Sequence, residues 1–212
     1  MNRVGVLASG GGTNLQALID AVATGHPAKL VVVASDKRDA GALERARAAG
    51  IPAIVVPKTK AQDREAYDRS LVDALRAYAI DWVCLAGFMR IVTPAFLGAF
   101  PNRVLNIHPA LLPAFPGLHG QQQAHDYGVR VAGATVHFVD AGTDTGPIIA
   151  QGVVPALQDD TPDALAARIL TMEHRLYPMA LRWAVEGRLR VEGRQVHVDL
   201  RPGESTALFS PG

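Results

Sequence analysis

Two polar side chains suited to reaction chemistry stand close together in the segment Asn106-Ile107-His108-Pro109. Alternate residues of a β-strand face the same side, so Asn106 and His108 would project together if this segment is a strand. An amide donor beside an imidazole can stabilise a developing oxyanion and handle a proton. The same spacing also fits a histidine that serves packing alone, so the pattern provides a hypothesis that needs its structural context.

A candidate partner for the histidine lies in the segment from Asp140 to Pro147, which reads Asp-Ala-Gly-Thr-Asp-Thr-Gly-Pro. A carboxylate in such a loop, for example that of Asp144, could pair with an imidazole and hold its tautomer. Taken alone, these residues are equally typical of an ordinary turn.

Three consecutive glycines indicate an anion site in the segment from Ser9 to Asn14, which reads Ser-Gly-Gly-Gly-Thr-Asn. Free backbone amides at a helix N-terminus bind anions, and glycines let the backbone approach a phosphate closely. The dinucleotide pattern fails because Leu15 stands where its third glycine is needed, and the Gly-Lys pair of a P-loop is missing. The loop is therefore predicted to bind a single phosphate, such as that of a phosphorylated sugar. The alternative is a turn that binds nothing.

The elements that must position these residues alternate along the first half of the chain. Apolar runs predict strands over residues 3–8, 29–35, 53–56, 82–85 and 104–108, and amphipathic stretches predict helices over 13–24, 40–49, 61–78 and 93–100. This alternation predicts a parallel sheet covered on both faces. Ligands of such sheets bind beyond the carboxyl ends of the strands, so the loops after Ala8, Leu85 and His108 are expected to share one cleft.

The second half departs from this rhythm. An antiparallel pair is predicted over residues 131–139 and 148–155, then a helix over 161–186 that Thr161 caps and Pro178 kinks or splits. A closing hairpin is predicted over 189–191 and 195–198, with a loose tail from residue 205. The predicted fold is α/β: a single-domain, Rossmann-like, mostly parallel sheet with flanking helices and an antiparallel C-terminal part. The domain is expected to span residues 1–200, with a C-terminal tail over 201–212.

The composition of the chain argues against several classes of function. The 212 residues include 21 basic and 20 acidic side chains, and a net charge of +1 gives no electrostatic footprint for nucleic acid or an anionic membrane. The only cysteine, Cys84, excludes an intrachain disulfide and a cysteine metal cluster, and the histidines lack a metal-ligand spacing. The apolar runs are far shorter than the roughly 20 residues that span a bilayer. A cytoplasmic enzyme or binding protein without a metal is therefore expected.

Taken together, the motifs resemble the phosphoribosylglycinamide formyltransferase family from residue 3 to about residue 190. The run Asn-Ile-His-Pro-Ala-Leu-Leu-Pro at 106–113, with Asp144-Thr-Gly-Pro after it, is typical of folate-dependent formyltransferases as a group. The loop Ser-Gly-Gly-Gly-Thr-Asn-Leu-Gln at 9–16 narrows the resemblance to this family. Further matching segments are Phe-Met-Arg-Ile at 88–91 and Val-His-Phe-Val at 136–139. The stretch Gly-Gln-Gln-Gln at 120–123 departs from the family pattern.

The resemblance implies transfer of a formyl group from 10-formyltetrahydrofolate, as co-substrate, to the amine of glycinamide ribonucleotide in purine biosynthesis, without a metal. The implied partners are these two small molecules, with no nucleic acid or membrane, and the implied state is a monomer or weak homodimer. A cis peptide before Pro113 is also implied. The implied catalytic residues are Asn106, His108 and Asp144, and the implied phosphate-binding residues are Gly12, Thr13 and Asn14. Glu173 is implied to contact the ribose or glycinamide side of the substrate. The implied folate-binding residues are Arg64, Met89, Arg90, Ile91, Val92 and Asp140.

Two alternatives to this transferase stay open at this point. One is a formyltetrahydrofolate hydrolase, which would share the chemistry. The other is a non-enzymatic sugar-phosphate-binding module, which would need the glycine loop but would have no use for the Asn, His and Asp side chains.

Overall fold

The computed structural model describes residues 2–210, and the chain forms two compact units that divide between Asn106 and Ile107. The dividing point falls inside the strand Val104–His108. None of the helices within residues 2–210 is long and apolar enough to cross a membrane.

A parallel sheet forms the centre of the first unit. Its strands run in the spatial order β5-β4-β1-β2-β3. The strands are β1 (Arg3–Leu7), β2 (Lys29–Ser35), β3 (Ala53–Val55), β4 (Trp82–Leu85) and β5 (Val104–His108). Side chains such as Val6, Val33 and Val83 are fully buried, as expected for strands whose two faces are both covered. The predicted parallel sheet is therefore confirmed.

The helices of the first unit follow the predicted order. They are α1 (Thr13–Ala23), α2 (Gly41–Ala48), α3 (Arg64–Arg76) and α4 (Pro94–Ala99). Helix α3 begins three residues later than predicted because Asp63 caps it, with a carboxylate oxygen that accepts a 2.7 Å hydrogen bond from the Ala66 amide.

The second unit contains the predicted antiparallel pair, β6 (Val131–Phe138) and β7 (Ile148–Pro155). A short helix, α5 (Gly120–Tyr127), precedes this pair and was not predicted, because its glutamine-rich sequence shows no apolar stripe. The long helix α6 (Pro162–Val185) begins at the predicted cap, where the Thr161 hydroxyl accepts from the Ala164 amide.

Pro178 does not split α6, which runs unbroken because buried neighbours such as Leu176, Tyr177 and Leu181 stabilise it against one lost hydrogen bond. A kink at Pro178 stays a prediction. The tail from residue 205 is not loose, since Ala207–Phe209 forms a strand, β10, parallel to β7. Residues 211–212 of that tail lie outside the described residues. The predicted closing hairpin is confirmed as β8 (Leu189–Glu192) and β9 (Gln195–Val198).

Candidate active site

The histidine predicted at the end of β5 lies beside the predicted carboxylate. His108 is 4% exposed, and its Nδ1 atom lies 3.4 Å from Oδ2 of Asp144. Its other ring nitrogen, Nε2, lies 2.9 Å from the carbonyl oxygen of Phe115. Both ring nitrogens of His108 therefore face acceptor oxygens, and the local fold holds the imidazole from two sides.

Asp144 is surrounded by donors. The Gly117 amide donates to its Oδ2 atom at 2.8 Å, and Nε2 of His137 lies 3.6 Å from its Oδ1 atom. Burial opposes the negative charge, but the hydrogen bonds from His137 and Gly117 and the nearby His108 together hold the pKa of Asp144 below its ordinary value. The carboxylate is therefore ionised at neutral pH.

Hydrogen bonds within the loop that carries Asp144 hold its conformation. The Asp140 carboxylate accepts hydrogen bonds from the Gly142 amide at 3.1 Å and from the Thr145 hydroxyl at 2.6 Å. Gly146 packs so closely against the Phe138 carbonyl that any side chain there would overlap it. Asp144 itself adopts a positive φ of 54°, a conformation that aspartate tolerates better than most residues. The turn residues of this loop thus fix the position of the Asp144 carboxylate.

His137 is a site residue that the sequence analysis missed. It lies near the end of β6, is 2% exposed, and its Nδ1 atom lies 2.7 Å from the Phe138 carbonyl oxygen. The available signal was a histidine in a largely apolar strand, three residues before the acid-bearing loop begins at Asp140. Gly120 is a second such residue, since a Cβ there would lie 3.3 Å from Nε2 of His108. Its lack of a side chain leaves room for the imidazole.

The glycine loop lies in the first unit, between β1 and α1. Gly12 has a φ of +75°, and a Cβ there would lie 2.7 Å from the Ala42 backbone, so the fold requires glycine at this position. A Cβ at Gly10 or Gly11 would meet nothing within 4 Å. Packing therefore does not explain these two glycines. Thr13 and Asn14 form the start of the first turn of α1, at the positive end of the helix dipole.

Ser9 ties the glycine loop to the loop that follows β4. Its hydroxyl donates to Oδ1 of Asp36 at 2.7 Å and accepts from the Met89 amide at 3.0 Å. The other oxygen of Asp36 accepts from Nε of Arg90 at 2.8 Å. The loops after β1 and β4 therefore meet, as predicted. The further prediction that the loop after His108 shares their cleft stays a prediction.

Most of the predicted folate-binding residues of the first unit surround one cavity of about 260 Å³. Arg64 begins α3 at its edge, and the Arg90 guanidinium lies 5.0 Å above the Tyr67 ring. Burial and the nearby Asp36 charge raise the pKa of Tyr67 to about 12, so its hydroxyl stays a neutral donor to the Val56 carbonyl. The residues that line the cavity are Lys58, Arg64, Tyr67, Asp68, Met89, Arg90 and Ile91.

The remaining predicted residues have different surroundings. Val92 is 3% exposed and is not among the residues that line the cavity. Asn106 is half-buried on β5, two residues before His108, and Glu173 is buried in α6. The peptide between Leu112 and Pro113 is cis, as the resemblance implied. Within residues 2–210, no group of three or more His, Cys, Asp or Glu side chains is arranged to hold a metal ion.

Comparison with known proteins identifies the class to which this fold and site belong. The family model described as formyl transferase matches residues 2–181, so the chain belongs to that family. The phosphoribosylglycinamide formyltransferase of Escherichia coli (strain K12) is 46% identical over 195 residues, which are 92% of each chain. The crystal structure of glycinamide ribonucleotide transformylase 1 from Symbiobacterium toebii superposes with a TM-score of 0.92 at 55% identity, and covers 93% of this chain and 94% of that one.

These relatives confirm the family and the α/β fold class predicted from the sequence, and their names do not favour the hydrolase alternative. The chain also matches part of a longer relative, the trifunctional purine biosynthetic protein adenosine-3 of Drosophila melanogaster, at 49% identity over 188 residues. That match spans 87% of this chain but only 14% of the longer protein.

Proposed function

We propose that the chain transfers the formyl group of 10-formyltetrahydrofolate to the amine of glycinamide ribonucleotide in purine biosynthesis. The observation that carries the proposal is the buried His108 ring, whose two nitrogens face the Phe115 carbonyl and the Asp144 carboxylate. Acyl transfer generates an oxyanion, and a fixed, charged donor suits its stabilisation. Membership of the formyl transferase family supports the choice of the transferred group.

In the proposed reaction, the substrate amine attacks the formyl carbon, a new C–N bond forms, and the formyl oxygen becomes an oxyanion. Nδ1–H of His108 and the side-chain amide of Asn106 donate hydrogen bonds to that oxygen. Nδ1 is assigned this task because its contact with Asp144, at 3.4 Å, is longer than the 2.9 Å contact of Nε2 with the Phe115 carbonyl. Removal of one donor of this kind costs about 3–4 kcal/mol in the transition state.

The tetrahedral intermediate then collapses as the bond between the formyl carbon and the folate nitrogen breaks. The proton lost by the attacking amine must reach that leaving nitrogen. Asp144 is assigned to relay this proton through a water molecule, because it is a carboxylate held beside His108. Its charge also holds the imidazolium of His108 in place during the reaction.

The substrate phosphate is assigned to the loop at Gly12, Thr13 and Asn14. The backbone amides and the dipole at the N-terminus of α1 attract an anion there. The open space at Gly10 and Gly11, which packing does not require, supports close approach by a ligand. Binding the phosphate would fix the reacting amine relative to the formyl group, which lowers the entropic cost of the reaction.

The folate is assigned to the cavity that Arg64, Met89, Arg90 and Ile91 line. The two arginines suit the carboxylates of a glutamate tail, and the exposed apolar side chains of Met89 and Ile91 suit a flat ring. Val92 and Asp140 are proposed to act through the backbone they hold, since Val92 is buried and the Asp140 carboxylate is engaged within its own loop. Glu173 is proposed to contact the ribose or glycinamide side.

The other proposals concern the whole chain. We assign the two small-molecule substrates as its partners, without nucleic acid or membrane, and the cytoplasm as its compartment. We also propose residues 1–200 as the formyltransferase domain and a monomer or weak homodimer as the working state.

An absorbance assay of tetrahydrofolate formation, run with and without glycinamide ribonucleotide, tests the function. Tetrahydrofolate and formylated ribonucleotide are expected in equal amounts, with little product when the ribonucleotide is left out. Equal rates with and without the ribonucleotide, accompanied by formate release, would identify a hydrolase instead. Binding of glycinamide ribonucleotide without any turnover would identify a sugar-phosphate-binding module.

A further inference from the structure

Helix α2 donates hydrogen bonds to two carbonyl groups of the glycine loop and so holds the loop in place. The Gly10 carbonyl accepts a 3.1 Å hydrogen bond from the Ala42 amide at the start of α2. The Gly11 carbonyl accepts a 2.8 Å hydrogen bond from Nε of Arg45, one turn further along the same helix. Two successive carbonyl groups of the loop are therefore directed towards α2.

The direction of the carbonyls determines the direction of the amides. A trans peptide is planar, so each C=O points opposite to the N–H of the next residue. With the Gly10 and Gly11 carbonyls turned towards α2, the amides of Gly11 and Gly12 must point away from it. The Gly12 carbonyl is also engaged, by the Gln16 amide of α1 at 2.9 Å. The loop therefore presents donors on the side that faces away from α2.

The Arg45 side chain is itself held in place by a second hydrogen bond. Its Nη1 atom donates to the side-chain oxygen of Gln16 at 3.2 Å while Nε donates to Gly11. A guanidinium can make both contacts because its donors lie in one rigid plane, whereas a lysine ammonium is a single flexible donor group. The arginine thus connects α2, the glycine loop and the first turn of α1.

We propose that Arg45 is a positioning residue for phosphate binding, which fixes the Gly11 peptide so that its neighbouring amides face the substrate phosphate. It acts through the loop and need not touch the substrate. The inference rests on the proposed function, because it takes the ligand of the glycine loop to be the phosphate of glycinamide ribonucleotide.

The test compares Arg45→Met with the matched variant Arg47→Met, using glycinamide ribonucleotide and its dephosphorylated nucleoside as alternative substrates. Methionine keeps the apolar stem of arginine and removes its donors, and Arg47 is an exposed residue of the same helix whose loss changes the net charge equally. Arg45→Met is expected to lower kcat/KM for the ribonucleotide about tenfold, through KM, as loss of a charge-assisted hydrogen bond would. Its kcat/KM for the nucleoside, its KM for formyltetrahydrofolate and all constants of Arg47→Met should stay at wild-type values.

A third variant, Arg45→Lys, separates position from charge and also covers a failure of Arg45→Met to fold. Lysine keeps the charge without the planar donor pair, so the KM for the ribonucleotide should stay clearly above that of the wild type. Full recovery with lysine, equal losses in Arg47→Met, or equal losses for ribonucleotide and nucleoside would each overturn the inference. A wild-type protein without ribonucleotide-dependent turnover would overturn the proposed function instead, so the two failures are distinguishable.

Discussion

Replacement of Asp144 by asparagine removes the charge beside His108 and leaves the side-chain shape almost unchanged. The Gly117 amide can still donate to the remaining oxygen of the asparagine side chain, so the loop should keep its conformation. The His108 ring loses its negative neighbour at 3.4 Å, and His137 loses its own carboxylate neighbour. The change therefore tests the electrostatic role of Asp144 separately from its role in the fold.

The expected size of the effect follows from the geometry. Two unit charges separated by 3.4 Å attract each other by about 5 kcal/mol at an effective dielectric constant of about 20. The asparagine dipole and entering water replace part of this attraction, which leaves a loss of about 2–4 kcal/mol in the transition state. Because each 1.36 kcal/mol changes a rate tenfold, kcat should fall about 30- to 1000-fold.

The assay is steady-state turnover at pH 7, with Asp126→Asn as the matched control. Asp126 also lies beside a histidine, since its Oδ1 atom is 3.0 Å from Nδ1 of His125, but both groups lie on exposed helix α5. The control should keep wild-type turnover. An Asp144→Asn protein with unchanged melting temperature and a kcat within about threefold of the wild type would refute the electrostatic argument, because threefold corresponds to well under 1 kcal/mol.

Three further predictions concern the phosphate loop, acid stability and metals. Gly11→Val should raise the KM for glycinamide ribonucleotide far more than that for folate, since a Cβ there meets nothing within 4 Å and the added bulk should obstruct the phosphate; equal increases for both substrates would argue against the phosphate assignment. The hydrogen bonds of Asp160 with Arg168 and the Leu157 amide lower its pKa from 3.8 to about 2. The folded-state pKa is the lower one, so this stabilisation is complete well above pH 3.8 and is lost as the pH falls towards 2. Thermal melts should therefore show Asp160→Asn below the wild type at pH 7 and equal to it near pH 2; a constant difference at both pH values would contradict the assignment. Extensive chelation should leave turnover unchanged, and a loss of activity that only a divalent ion restores would disprove the metal-free mechanism.

Local patterns in the sequence determined most of the first unit and singled out the candidate site residues. The bounds of β2, β4 and β5 match the predicted apolar runs residue for residue, because a strand buried on both faces must be continuously apolar. The glycine loop was recognisable as an unusual turn between a strand and a helix, and its role in phosphate binding stays a prediction. The pairing of Asp144 with His108 was predicted from the family motif, and in the structure Oδ2 of Asp144 lies 3.4 Å from Nδ1 of His108.

Only the tertiary structure decided features whose partners are distant in sequence. Strand β10 was predicted as tail because its hydrogen-bonding partner, β7, lies more than fifty residues earlier. Arg45 carried no sequence signal, because a surface helix commonly bears arginines and only folding brings this one to the Gly11 carbonyl. The spacing of apolar residues predicts which face of a single helix or strand is buried. The contacts of a polar side chain depend on distant parts of the chain that only folding brings close.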